Sequence, residues 1–254
     1  MSLALAGGSA IAPRRGAGDN LPLLTPPGIV PNMKLIVAIL SLVLLAILAP
    51  LAFMPSADDL AEAQSGLPWQ IEVDANGNSR VFGLTLGHST LDEARERFGP
   101  DLAIAIVTAP GEKGALEAYL GSAQLGFVTG KLVLTVALAD DVLAGMRDRA
   151  VKTEYMESTT RKATLSAADL ATALTQPIDS IVFIPSVNLD EAAIQARFGQ
   201  PAERIATNAH QTHLLFPDKG LDLIVDSEGK EILQYVAPRD FDRVRQPLRA
   251  AAAQ

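Results

Sequence analysis

Two segments far apart in this chain end in the same way, and that recurrence constrains the fold more than any other feature. Leu91-Asp92-Glu93-Ala94 runs on to Arg97-Phe98-Gly99-Pro100, and Leu189-Asp190-Glu191-Ala192 runs on to Arg197-Phe198-Gly199-Gln200-Pro201. In each, a small polar residue stands three before a glutamate, Thr90 before Glu93 and Asn188 before Glu191. That spacing lets side chain and backbone satisfy the free N–H groups of a helix start. Glycine at the far end accommodates left-handed geometry, and a proline just beyond forbids continuation. Phe98 and Phe198 are expected on the helix face that meets a sheet.

The segments after each helix read as strands. In the second unit these are Thr212 to Phe216, Leu221 to Asp226 and Lys230 to Val236, separated by Pro217-Asp218-Lys219-Gly220 and Asp226-Ser227-Glu228-Gly229 as turns. Leu221, Leu223 and Val225 alternate with Asp222, Ile224 and Asp226, giving one face to a helix and a largely polar face to water or a partner. In the first unit Leu116 to Leu120, Gln124 to Val128 and Lys131 to Leu138 take the same places, with Thr129-Gly130-Lys131 as the late turn. Trp69 to Val73 and Arg80 to Leu84 flank Asn76-Gly77, a hairpin signal. Ala139 to Leu174 reads as helices, the last capped by Ser166 and stopped by Pro177, and Ile181 to Ile184 reads as a short strand.

From Leu35 to Ala57 there is no charged residue, and some 20 apolar positions suffice for a ~30 Å hydrocarbon core. Lys34 precedes the run, whereas Asp58, Asp59 and Glu62 come after it. Positive charge before the run predicts a single-pass bacterial inner-membrane protein, N-terminus cytoplasmic and C-terminal region periplasmic, held in the inner membrane by Leu35 to Met54. The competing reading is a cleaved signal peptide starting at Met33; Pro50 and Pro55 at the −3 positions of candidate cleavage sites disfavour it. The expected organisation is α+β: residues 1–32 either a disordered cytoplasmic tail or a misread start, 33–57 a transmembrane signal-anchor, 58–140 a first module, 141–177 a helical connector, and 178–254 a second module. Each module is a helix plus a three-stranded antiparallel meander.

Charge and chemistry exclude several functions. The net charge is −8, and because residues before Pro55 carry +2, the remainder carries −10. Nucleic-acid binding is not expected from such a chain, since phosphate backbones demand clustered Lys and Arg. The one basic group, Arg239, Arg243, Arg245 and Arg249, reads as a solvated terminal helix or tail. With no cysteine, disulfides, thiolate catalysis and Cys-ligated metals are absent. His210-Gln211-Thr212-His213 is an H-x-x-H pair whose members point to opposite faces of a strand, so both are expected as surface histidines. His88 is expected in an exposed loop. Asp74, Asn76 and Asn78 begin like a calcium loop, but Ser79 stands at its glycine position and Thr85 at its glutamate position. No phosphate-cradling glycine motif comes after a strand, and the Asp92-Glu93 and Asp190-Glu191 pairs are explained by the helix dipole. Catalytic, cofactor and metal residues are therefore all expected to be none.

A helix ending in Phe-Gly-x-Pro, continued by a three-stranded meander with a late Gly-Lys turn, resembles the SmpA/OmlA (BamE-like) envelope lipoprotein family. The residues carrying the resemblance are Leu189 to Pro201 and His213 to Val236, and more faintly Leu91 to Pro100 and Leu116 to Leu138. The resemblance implies a binding or assembly module without catalysis. This chain departs from the family in lacking the lipidated cysteine and in repeating the unit. The function expected is thus a periplasmic protein-binding or scaffold region with an envelope protein as partner. The alternatives are a periplasmic metal-dependent or hydrolytic enzyme using His210 and His213, and an envelope ligand or lipid sensor using the face between the two sheets.

Overall fold

A computed structural model describes residues 42, 44–47, 49, 65–156 and 159–252. The chain divides into two units, Met1–Met54 and Pro55–Gln254. In the first, the described residues are helical and Leu42, Leu44, Leu45 and Ile47 are exposed. Among the described residues no helix is long and apolar enough to cross a membrane. This finding overturns the signal-anchor and, with it, the single-pass inner-membrane placement and its cytoplasmic and periplasmic sides. Most of Leu35 to Met54, and all of residues 1–32, lie outside the described residues.

The second unit begins with a small sheet of β1 (Glu72–Val73), β2 (Ser79–Val81) and β3 (Leu84–Thr85). The Asn76-Gly77 hairpin forms as expected, pairing Glu72 with Arg80 and Val73 with Ser79. Between β2 and β3 only Phe82 and Gly83 intervene, both at positive φ (55° and 79°), the geometry of a type I′ turn. A phenylalanine is strained there. It is held because its buried ring packs 5.6 Å from Phe183 and 5.3 Å from Tyr235.

Helix α1 (Leu91–Phe98) comes next, with the Thr90 hydroxyl accepting from the Glu93 N–H as its sequence predicts. Then come β4 (Ala103–Thr108), β5 (Ala115–Leu125), β6 (Val128–Val136), α2 (Asp140–Asp148), β7 (Lys152–Tyr155), β8 (Arg161–Thr164), α3 (Ala167–Leu174) and β9 (Ile178–Pro185). The chain closes with α4 (Glu191–Phe198), β10 (Glu203–Ala206), β11 (Gln211–Phe216), β12 (Leu221–Asp226), β13 (Ile232–Val236) and α5 (Asp242–Ala252). Ser166 caps α3 as expected, but α4 is capped by Asp190 rather than Asn188. Asn188 instead accepts from Lys230 Nζ at 2.6 Å. The Leu-Asp-Glu-Ala words therefore sit two residues out of step with the Arg-Phe-Gly words.

The expected pair of separate helix-and-meander modules is replaced by one antiparallel sheet of ten strands, in the order β10-β11-β12-β13-β9-β6-β5-β4-β8-β7. The joining strand is β9, which pairs with β13 on one side and β6 on the other. Two three-stranded meanders would each leave open ladder edges; insertion of β9 satisfies two of them at once. The first meander also differs in detail. Leu116 to Leu120 and Gln124 to Val128 are largely one strand, β5, because Gly121-Ser122 makes a register irregularity between Leu120 and Ala123 instead of a turn. The turn lies at Gly126-Phe127, and β4 supplies the third strand. Gly130 is in β6 because a Cβ there would stand 2.4 Å from the Ile184 carbonyl oxygen, so the glycine serves a close strand approach. The expected helical connector contains the hairpin β7–β8 between its two helices.

Period-2 alternation gives the large sheet a dense inner face, with Leu116, Leu132, Leu134, Ile181, Phe183, Leu223, Leu233 and Tyr235 all buried in one core. Leu91 of α1, Met146 of α2, Ala173 of α3 and Phe198 of α4 join that core, so these four helices close the same side. The small sheet docks there too. The Tyr235 hydroxyl donates to the Pro68 carbonyl at 2.9 Å, and Ser79 Oγ donates to the Val236 carbonyl at 3.2 Å. On the opposite face α5 packs Val244 and Leu248 against Ile205, Leu215, Val236 and Phe241.

Candidate functional site

Beyond the end covered by α5, the outer face of the sheet has no covering element among the described residues. Continuous pairing carries one row of side chains across it: Ala103, Tyr119, Val133, Val182, Gln234, Asp222 and Leu215, each opposite the next. Leu215 and Asp222 are buried at the α5 end, whereas Val133, Val182 and Gln234 are half-buried and Tyr119 is 43% exposed. A neighbouring row runs through Lys131 and Ile184, and through Ile232, Ile224 and His213. The half-buried apolar residues shield one another only along the sheet, leaving their outward surfaces to solvent.

At the β4–β5–β8 end the face dips into a cavity of about 130 Å³ lined by Ala103, Val107, Glu117, Tyr119, Met156 and Lys162. Burial pushes the Glu117 carboxyl above its ordinary range, and repulsion from Glu112 adds to it. No hydrogen bond or ion pair satisfies Glu117 among the described residues, and Lys162 in the same cavity does not reach it. Such a carboxylate gains from a donor brought by another molecule.

At the covered end lies the one buried His–carboxylate pair among the described residues. His213 Nδ1 is 2.8 and 3.1 Å from the two carboxylate oxygens of Asp222, and both residues are buried. His213, expected at the surface, is buried because its strand position alternates with Leu214 and lies beside Ile205 on the α5 side. His210 remains in the β10–β11 turn, 3.9 Å from Glu228, and His88 is exposed as expected. The histidines of the H-x-x-H word thus have separate acidic neighbours. Among the described residues no group of three His, Asp or Glu side chains is placed to hold a metal. Among the described residues the hydrogen-bond partner of His213 is Asp222 alone, and no hydroxyl stands beside the pair in the manner of a catalytic triad.

Asp74 is explained by its own loop: it accepts from the N–H groups of Asn76 and Asn78 and the Asn78 amide, which hold its carboxyl below the ordinary range. Arg243, Arg245 and Arg249 lie in α5; Arg243 pairs with Asp179 of β9 and both Arg245 and Arg249 pair with Glu203 of β10, fastening the helix to the sheet, while Arg245 also pairs with Asp242 within the helix. Glu117 and Tyr119 fall in a segment expected only as a strand, and β4 in a stretch with no expected element. The alternation of Ile104 and Ile106 with Ala103, Ala105 and Val107 was the signal that marks β4 as a strand with a small-residue outer side. No family model matches this chain, nor does any curated protein or solved structure.

Proposed function

We propose that this protein is a non-catalytic binding module that docks a protein partner on the outer face of its large sheet, centred on Val133 and Val182. The observation that carries the reading is the asymmetry of that sheet. Four helices and a second sheet close one face, while on the other the strip from Tyr119 to Ile232 lacks a cover among the described residues. Antiparallel sheets that face water usually carry polar residues on the outer side; here Val133 of β6 and Val182 and Ile184 of β9 stand together between the outward Lys131 on one side and Thr135 and Ser180 on the other, an apolar patch with a polar rim, the mark of an interaction surface. The rim sets the partner's chemistry: an apolar patch, a hydrogen-bond donor opposite Glu117, and carboxylates opposite the exposed Lys131. The resemblance of Leu189 to Pro201 and His213 to Val236 to SmpA/OmlA-type binding modules supports the same reading.

The test is a photo-crosslinking residue placed at Val133 in the full chain, with a second placed at exposed Glu96 on α1. A single protein trapped from Val133, lost in a Val182→Glu background and never trapped from Glu96, is expected. Equal trapping from both positions would reject the sheet face as the docking surface.

A further inference from the structure

A second site shares no residue with the sheet face. Between the small sheet and the end of α1 lies a cleft of about 620 Å³ whose wall includes Trp69, Glu72, Arg80, Phe82, Gly83 and Arg97. Its volume is in the range of small-molecule sites. Arg97 lies flat against a glycine-lined wall: a Cβ on Gly83 would stand 2.6 Å from the guanidinium carbon, and one on Gly66 3.4 Å from its Nη2. Only a backbone without side chains permits that approach. The Trp69 ring is also engaged by Arg197, whose guanidinium carbon is 4.4 Å from the ring centroid. The two Arg-Phe-Gly words thus bring one arginine each to the segment that walls the cleft.

In a chain of net charge −8, arginines are expected to find carboxylates, as Arg149, Arg204, Arg243, Arg245 and Arg249 do. Arg80 and Arg97 have no hydrogen-bond or ion-pair partner among the described residues; Arg97 has only the Phe98 ring, at 5.8 Å. Glu72 stands opposite Arg80 in the β1–β2 ladder without bonding it, so the cleft presents two cations against one anion. The planar guanidinium fork suits a carboxylate in a two-point contact, and Trp69 and Ile71, both half-buried, offer an apolar wall beside it. We propose that this cleft binds a small carboxylate ligand with an apolar body, its carboxylate held by Arg80 and Arg97 and its body against Trp69.

Trp69 is the sole tryptophan, so its fluorescence reports on the cleft directly. Full-length protein is titrated with benzoate and octanoate, and separately with inorganic phosphate, at constant ionic strength. Saturable change with one of the carboxylates is expected, with the dissociation constant raised at least tenfold by Arg97→Gln or Arg80→Gln. Circular dichroism confirms that each variant is folded, and Arg97→Lys, which keeps the charge but loses the fork, is expected to recover only part of the binding. No saturable change at millimolar carboxylate, or equal affinity in the folded Gln variants, would overturn the proposal. Saturation by phosphate alone would overturn the carboxylate assignment. Binding that appears only when Asp58, Asp59 and Glu62 are changed to Asn, Asn and Gln would assign the arginines to the chain's own acids and overturn it as well.

Discussion

Replacement of Ile181 by alanine tests whether the ten strands fold as one body. Ile181 is fully buried on β9, opposite Leu134 of β6 on one side and Tyr235 of β13 on the other. Both neighbours are themselves fully buried and set in a ladder, so the space left by the lost carbons collapses poorly. Ile→Ala substitutions in cores cost 2–5 kcal/mol depending on such relaxation, and about 3–4 kcal/mol is expected here. For a body of this size that corresponds to a fall in Tm of about 6–16 °C. The assay is equilibrium urea unfolding monitored by Trp69 fluorescence and by far-ultraviolet circular dichroism. Both probes should give one coincident transition in the parent protein, displaced equally by the substitution. Two resolved transitions, only one of them moved by Ile181→Ala, would refute the single sheet and restore two independent modules.

Gly220→Ala is expected to destabilise by at least about 3 kcal/mol, because Gly220 has φ +67° and a Cβ would meet the Val236 carbonyl oxygen at 1.9 Å; thermal unfolding measures it. Asp169 is held below the ordinary carboxyl range first by the Arg149 guanidinium, at 2.7 Å, and then by the Ser166 hydroxyl. Its stabilising contribution is therefore present at neutral pH and lost as pH falls below about 4, so Asp169→Asn should lower Tm at pH 7 and leave it nearly unchanged in acid. Glu117 has the opposite sign: burial raises its pKa, and its ionisation costs stability as pH rises. Glu117→Gln should raise Tm of the isolated protein at pH 7 and not near pH 4, while weakening capture of the partner.

Local structure was legible wherever a residue's chemistry acts within a few positions. The Thr90 and Ser166 caps, the Asn76-Gly77 hairpin, and β11 and β12 occupy the places their residues predict. Residues that serve two purposes were not legible in this way. Gly121 and Gly130 resemble turn signals, yet one sits at a ladder irregularity and the other permits close approach of β9. The union of the two halves through β9 depends on pairing across long sequence separations, which leaves no local trace in Ile178 to Pro185. A charge-free run predicts a span by composition alone, and among the described residues no helix is long and apolar enough to make one. The sheet face was missed because its outward residues, Val133, Val182 and Tyr119, are ordinary strand formers. Only the order of strands reveals that they stand side by side. His213 was misplaced because the burial of the outer face by α5 depends on Phe241, Val244 and Leu248, in a stretch whose arginines suggested a solvated tail.

The docking face itself can be tested through its reactivity, since the chain has no cysteine of its own. A single Val182→Cys substitution puts one thiol at the centre of the strip, and Glu96→Cys on α1 serves as the exposed control. Maleimide labelling is timed in the purified protein and again in a gentle native extract. The thiol at 182 should react readily in isolation and at least tenfold more slowly in the extract, while the thiol at 96 reacts at the same rate in both. Equal rates at 182 in the two settings would show the face uncovered in its natural surroundings and contradict its role as a docking surface.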